Sequence, residues 1–239
     1  MASEHTAKAF DEDLQELTRL VAEMGGLAER QIVESVDALI RRDAALGKRV
    51  VAADVELDRL QHLIEERAVL TIARRQPMAV DLREIVAALR VSNDLERIGD
   101  LAKNIGKRVG ALEGDFYPSK LLRGVEHMAS LVLGQLKQVL DAYASRDLAS
   151  ALMVWKSDEQ IDSMCTSLFR ELLTYMMEDP RNITFCIHLM FCAKNIERMG
   201  DHATNIAETV YYIAEGRALT DERPKGDSTS STTVPFPAA

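Results

Sequence analysis

Val91, Leu95, Ile98, Ala102, Ile105 and Val109 return at alternating spacings of four and three residues. That rhythm holds them on one stripe of an α-helix, the seam that a helical bundle buries. The stripe is written again 101 positions later as Cys192, Ile196, Met199, Ala203, Ile206 and Val210. Amphipathic runs of this kind fill the chain between its punctuation marks. The first covers about residues 10 to 40 and crosses Gly25-Gly26, a pair that marks a kink or weak point. Asp43 is placed to N-cap a second run that reaches about residue 73 and stops at Gln76-Pro77. A third run covers about 80 to 109, and the loop from Gly110 to Pro118, with Gly114 and Asp115, follows it. Helices over about 119–144 and 147–177, a break at Asp179-Pro180, and a last helix over about 182–215 complete the pattern. From Arg217 onward the apolar content is too low to support folding.

The duplication extends beyond one helix. Asp54 and Asp58 match Asp158 and Asp162 at an offset of 104, as Asp37 and Asp43 match Asp141 and Asp147. The expectation is an all-α protein of six long helices, arranged as two tandem, sequence-related antiparallel three-helix bundles. Their predicted bounds are 10–113 and 114–216, with a flexible N-terminus over 1–9 and a disordered tail over 217–239. A single longer bundle that shares the third helix is the alternative.

Composition narrows the function. A formal net charge of −9 lacks the basic footprint that nucleic-acid binding requires. The first eight residues have no apolar core of a signal peptide, and no uninterrupted run approaches a membrane span. Cys165, Cys186 and Cys192 are an odd, loosely spaced set without a CxxC, which points to reduced thiols in a cytoplasm. Cys186, His188 and Cys192 lie in a dense apolar run and read as core before they read as a soft-metal site.

The chemistry sits in a repeated pentapeptide, Glu96-Arg97-Ile98-Gly99-Asp100 and Glu197-Arg198-Met199-Gly200-Asp201. On a helical wheel Glu96 and Asp100 fall roughly opposite the apolar seam, one turn apart on one face, with Asn104 a turn further. Asp54 and Asp58 share the same i,i+4 spacing on a flank of the second helix. Each repeat therefore offers four carboxylates from two neighbouring helices, outside the core. A solvated acidic face is one reading, since Arg97 and Arg198 stand three residues before Asp100 and Asp201. Against it, like charges at i,i+4 cost about 0.2–0.5 kcal/mol each on an isolated helix, and four such pairs are kept in register. Oxygen-only ligands on rigid helices suit a hard cation such as magnesium, manganese, calcium or iron better than zinc.

Enzymatic readings find little. The chain has no phosphate-binding G-x-x-x-x-G-K-[S/T], no G-x-G-x-x-G and no G-x-S-x-G. None of His5, His62, His127, His188 and His202 has a glutamate three residues before it, which excludes the di-iron carboxylate pattern. His62, one turn after Asp58, is a candidate extra ligand or a surface histidine. No catalytic residue and no organic cofactor is expected.

The duplicated pentapeptide, its extensions Leu101-Ala102-Lys103-Asn104-Ile105 and His202-Ala203-Thr204-Asn205-Ile206-Ala207-Glu208, and the segment from Ala73 to Arg83 resemble the PhoU family of phosphate-specific transport regulators. The likeness covers about residues 10 to 216. It implies a cytoplasmic regulator that holds down phosphate uptake and the phosphate-starvation response. Its implied partners are the ATPase subunit of the phosphate ABC transporter and the phosphate-sensing histidine kinase, with membrane contact only through them. Association into a homodimer is also implied. The resemblance carries a multinuclear metal cluster onto Asp54, Asp58, Glu96 and Asp100 and onto Asp158, Asp162, Glu197 and Asp201, with iron, manganese, magnesium and zinc left open. His202, Asn104 and Asn205 are candidate additional ligands, and Leu101 stands in the first repeat where the second has His202. A metal store or a metal-dependent phosphohydrolase using the same carboxylates is the alternative.

Overall fold

Alternate seams and caps produce six helices: α1 (Ala2–Arg41), α2 (Ala44–Arg75), α3 (Val80–Val109), α4 (Ser119–Ser145), α5 (Leu148–Glu178) and α6 (Ile183–Glu215). The structure, a computed structural model, describes residues 2–112, 119–221 and 223. One turn of 3₁₀ helix follows α3 (Gly110–Leu112) and another precedes α6 (Pro180–Asn182). The remainder of the expected loop, with Gly114, Asp115 and Pro118, lies outside the described residues, as does most of the expected tail. No described helix is long and apolar enough to cross a membrane.

The entries into α2 and α5 are built alike. Arg42 and Arg146 adopt left-handed backbone (φ 57° and 58°), and the aspartate after each caps the next helix. Asp43 accepts the Leu46 N–H at 2.8 Å, and Asp147 accepts those of Ala149 and Ser150 at 3.0 and 3.2 Å. Each cap contributes about 1 kcal/mol.

α3 packs on α1, α2 and α6, while α6 packs on α4, α5 and α3. With α1 also against α4, the helices α1, α3, α6 and α4 close a four-helix ring. α2 lies outside on α1 and α3, and α5 lies outside on α4 and α6. The two three-helix bundles thus share one continuous hydrophobic core. Both apolar stripes are sealed: Leu95, Ile98, Ile196, Met199 and Ile206 are all 0% exposed. Such burial contributes roughly 1.5–3 kcal/mol per large side chain. α1 continues through Gly25 and Gly26, where a kink is expected from the sequence. Gly25 serves instead as the crossing point with α4, since a Cβ there would come within 2.6 Å of Leu140 Cδ1.

α3 also has a second buried face. Ser92, Gly99 and Gly106, spaced seven apart, are buried, Gly99 and Gly106 against α2, and buried Ala193, Gly200 and Ala207 repeat the spacing on α6. Small residues at heptad spacing let a neighbouring helix approach closely. At Gly106 the approach is backbone to backbone, because a Cβ would lie 2.9 Å from the Gly47 carbonyl oxygen. α3 and α6 are joined at both ends by Arg90 over the Tyr212 ring (4.6 Å) and Arg108 over the Phe191 ring (4.2 Å).

Candidate metal centres

The glycine of each pentapeptide is where three helices of a repeat converge. A Cβ on Gly99 would strike Leu57 Cδ1 of α2 and stand 3.1 Å from Gln31 Oε1 of α1 and 3.4 Å from Asp54 Oδ1. A Cβ on Gly200 would meet Ile161 Cδ1 at 3.1 Å and Gln135 Oε1 at 3.6 Å. Glu96 and Asp100 border this convergence, so the acids do not lie on an open face opposite the seam. Asp54 (4% exposed), Asp158 (2%), Asp162 (3%) and Glu197 (5%) are buried. The wheel misplaces them because it credits α3 and α6 with one packing face, and the small-residue face brings α2 and α5 over the carboxylates.

In the first centre Lys103 bridges the two helices. Its ammonium pairs with Asp54 Oδ2 on α2 and, at 2.7 Å, with Asp100 Oδ1 on α3. Arg97 approaches Asp100 Oδ2 and Glu96 Oε2, each at 3.4 Å. Burial pushes the Asp54 carboxyl up, with Lys103 opposing. Burial also pushes the Glu96 carboxyl up, and the neighbouring Asp100 adds to it. Asp100 is likewise raised by burial, but Lys103 and Arg97 outweigh this and hold it below the ordinary aspartate value. Asp58 is half-buried on the rim, and its negative charge acts on both Asp54 and Glu96.

The second centre has the same acids and a different cation. Thr204 stands at the position equivalent to Lys103, its hydroxyl 3.2 Å from Asp158 Oδ1 and 3.1 Å from the Gly200 carbonyl oxygen. The bridging charge comes from Arg223, beyond the end of α6. Its Nε donates to Asp158 Oδ2 at 2.9 Å and its Nη2 to Asp201 Oδ1 at 2.6 Å. Lys194 donates to Glu197 Oε1 at 2.8 Å. Burial pushes the Glu197 carboxyl up against that pairing, with Asp201 and Asp162 adding to the rise.

Four buried oxygens around the two centres accept no hydrogen bond: Gln31 Oε1, Glu96 Oε2, Gln135 Oε1 and Glu197 Oε2. Buried acceptors are almost always paired, so these mark unmet demand for a donor, which at Glu96 Oε2 the Arg97 guanidinium 3.4 Å away meets only in part. Gln31 and Gln135 are absent from the sequence-derived ligand set. The signal that finds them is the offset of 104 that relates Asp54 to Asp158.

Other candidates lie elsewhere. His202 Nδ1 stands 2.8 Å from Asp94 Oδ1, to which Asn205 Nδ2 also donates at 3.2 Å. Both therefore serve the contact between α6 and α3 of the other repeat, a contact invisible when each repeat is read alone. Asn104 is exposed, and exposed His62 stands 2.7 Å from its own helix's Asp58 carbonyl oxygen. Cys192 is sealed, its thiol pushed up to about 12 by burial, and His188 Nδ1 lies 3.3 Å from Arg108 Nη1. Neither fits a soft-metal ligand set.

The donors of the two centres are all oxygen, the chemistry of a hard cation. Among the described residues no three His, Cys, Asp or Glu side chains converge as a ready ligand set. In this conformation Lys103 and Arg223 supply the positive charge between the helices. The residues fit a hard metal in kind, with Gln31 and Gln135 as further oxygen donors, once those two cations move aside.

The fold and the repeated centres have counterparts among known proteins. The family model described as "PhoU domain" matches residues 21–109 and again 125–210. A phosphate-specific transport system accessory protein PhoU homolog of Rhizobium meliloti is 58% identical over 231 residues, 97% of this chain and 98% of that protein. One from Caulobacter vibrioides is 54% identical over 94% of this chain and 98% of its own. The crystal structure of PhoU from Pseudomonas aeruginosa superposes with a TM-score of 0.81 at 37% identity, covering 87% of this chain and all of that one. The phosphate transport system regulatory protein PhoU of Streptococcus pneumoniae gives 0.81 at 26% identity over 88% of this chain and 99% of its own. Two matched domains, the duplicated acidic pentapeptide at the meeting point of three helices, and relatives aligned end to end establish that the chain belongs to the PhoU family.

Proposed function

We propose that this chain is a negative regulator of phosphate uptake and of the phosphate-starvation response. It acts as an adaptor between the ATPase subunit of a phosphate ABC transporter and a phosphate-sensing histidine kinase. The observation that carries this reading is the near full-length identity to proteins named as accessory to phosphate-specific transport. The chain works in the cytoplasm by binding, as a homodimer, and meets the membrane only through its partners. Helix faces and grooves are suitable docking surfaces for such partners.

A hard metal ion held by Asp54, Asp58, Glu96 and Asp100, and another by Asp158, Asp162, Glu197 and Asp201, would neutralise the carboxylates and tie the second helix of each repeat to the third. Burial of Asp54 and Asp158 beneath the helix contacts suits an internal ion better than a site that must admit a substrate. The comparisons favour the accessory role over storage or phosphohydrolase use of the same acids. Deleting the gene should leave a phosphate-starvation reporter on in high phosphate, and a plasmid copy should switch it off again. Normal reporter control in the deletion strain overturns the adaptor reading.

A further inference from the structure

The two centres share their acids but not their cation. Lys103 is fixed to α3 three residues from Asp100, so in the first centre the positive charge is part of the helix that needs it. The equivalent residue in the second centre, Thr204, is neutral and buried. Its place between Asp158 and Asp201 is taken by Arg223, eight residues after α6 ends at Glu215. The guanidinium is well enclosed, its side chain 16% exposed, and grips Asp158 through both Nε and Nη2. Even so it leaves the centre incompletely served. Glu197 Oε2 and Gln135 Oε1 have no hydrogen-bond partner, although Glu197 is 5% and Gln135 8% exposed. The Gln135 oxygen points toward the pentapeptide glycine, Gly200, around which the acids gather.

We infer that the second centre is the exchangeable cation site of the molecule and that Arg223 is its built-in competitor. A hard divalent cation and the Arg223 guanidinium exclude one another between Asp158 and Asp201. This rests on the metal reading above and adds to it which centre exchanges and what moves when it does. Arg223 is attached through a short segment whose Leu219 packs on the core. It can leave without breaking a helix, whereas Lys103 can only swing on its stem. A released Arg223 frees the oxygens of Asp158 and Asp201, and the unpartnered oxygens of Glu197 and Gln135 beside them are further donors of the kind hard cations take. Cation binding is thereby coupled to release of the segment after α6. An ion deep between helices thus changes what the outside of the molecule presents.

The test titrates Mn²⁺ into the chelator-treated full chain by calorimetry and follows hydrogen exchange of the segment after α6 by mass spectrometry. Apparent affinity is reduced by the fraction of molecules in which the site is open, so removing the competitor should tighten binding by about 10-fold or more in Arg223→Gln. Arg223→Lys, which keeps a cation there, should bind Mn²⁺ nearly as the natural chain does. Mn²⁺ should speed exchange over residues 217–221 in the natural chain, and Lys103→Thr should take up a further equivalent of the ion. Asp158→Asn with Asp201→Asn should abolish the tight site while helix content holds. Equal affinities for the natural chain and Arg223→Gln, both lost in the double asparagine variant, would overturn the competition and leave the metal reading standing. No Mn²⁺ binding by either protein would overturn both.

Discussion

In the first repeat the acids of α2 and α3 are held together by Lys103, and α2 lies so close to α3 that Gly47 and Gly106 meet backbone to backbone. In the second repeat the equivalent positions are Thr204, Ala151 and Ala207, and the bridging cation arrives from outside the bundle as Arg223. The sum of charges at the two places is similar, yet their permanence differs. A lysine on the same helix makes the first centre a structural fastening. An arginine on a terminal segment makes the second one releasable. Duplication here has kept a chemical need in both copies and met it by two devices, one of which can be undone without unfolding anything.

That contrast predicts unequal costs of removing the two cations. Lys103→Met leaves Asp54, 5% exposed at its side chain, facing Asp100 without a counter-charge. Breaking a buried pair from one side costs about 3–5 kcal/mol, and the partial exposure of Lys103 lowers that to about 2–3 kcal/mol here. The melting temperature of the chelator-treated protein should fall by roughly 4–12 °C in calorimetry. Arg223→Met breaks a pair that is at least as buried, but the segment after α6 can then move aside and admit water to Asp158, which keeps the Thr204 hydroxyl, so the fall should be smaller, about 2–4 °C. Equal losses would show that both cations are structural fastenings.

The close approach in the first repeat gives a second contrast, this time in sign. Gly106→Ala places a methyl group 2.9 Å from the Gly47 carbonyl oxygen, a backbone atom that cannot turn away. Overpacking of this kind costs about 1–3 kcal/mol, which exceeds the ~1 kcal/mol that alanine gains over glycine in a helix. Gly134 on α4 has nothing within 4 Å of the same methyl position, so Gly134→Ala should stabilise by about 0.5–1 kcal/mol. Urea denaturation of the two variants reads both. A stabilising Gly106→Ala would mean that α2 and α3 are not packed backbone to backbone.

The ease of reading these features from sequence depended on whether one helix contains them. The seams of α3 and α6, the Asp43 cap and the break at Gln76-Pro77 are local patterns, and the helices begin and end within a few residues of where those patterns place them, except that α1 runs back to Ala2. The four acidic pairs are also local, and the structure brings each set to the junction of two helices. What the pattern could not carry is which second face of a helix is covered. Gly99 and Gly106 look like weak helix residues on a wheel, whereas their lack of a side chain is what draws α2 across Glu96 and Asp100. Gln31 and Gln135 escape notice because a glutamine on an amphipathic helix has no chemical signature until a neighbour buries it. Arg223 escapes because its partners on α5 and α6 are separated from it by 65 and 22 residues of chain.

His202 gives a small expected effect and the sharpest separation of the two repeats. As a member of the repeat it aligns with Leu101 and looks like a ligand that only the second centre has. In the folded molecule it approaches Asp94 of α3, with Asn205 beside it, and so belongs to the contact between repeats. His202→Leu copies the first repeat into the second. Asp94 then keeps the Asn205 amide at 3.2 Å and loses one hydrogen bond, while the leucine adds apolar burial on the α3–α6 face. The net cost should be about 1 kcal/mol, a fall in melting temperature of roughly 2–4 °C. Bound metal, measured by elemental analysis after loading and desalting, should not change. If instead His202→Leu removes as much metal as Asp201→Asn, the histidine turns from Asp94 to the second centre when the ion enters. The contact between the repeats would then be part of the site.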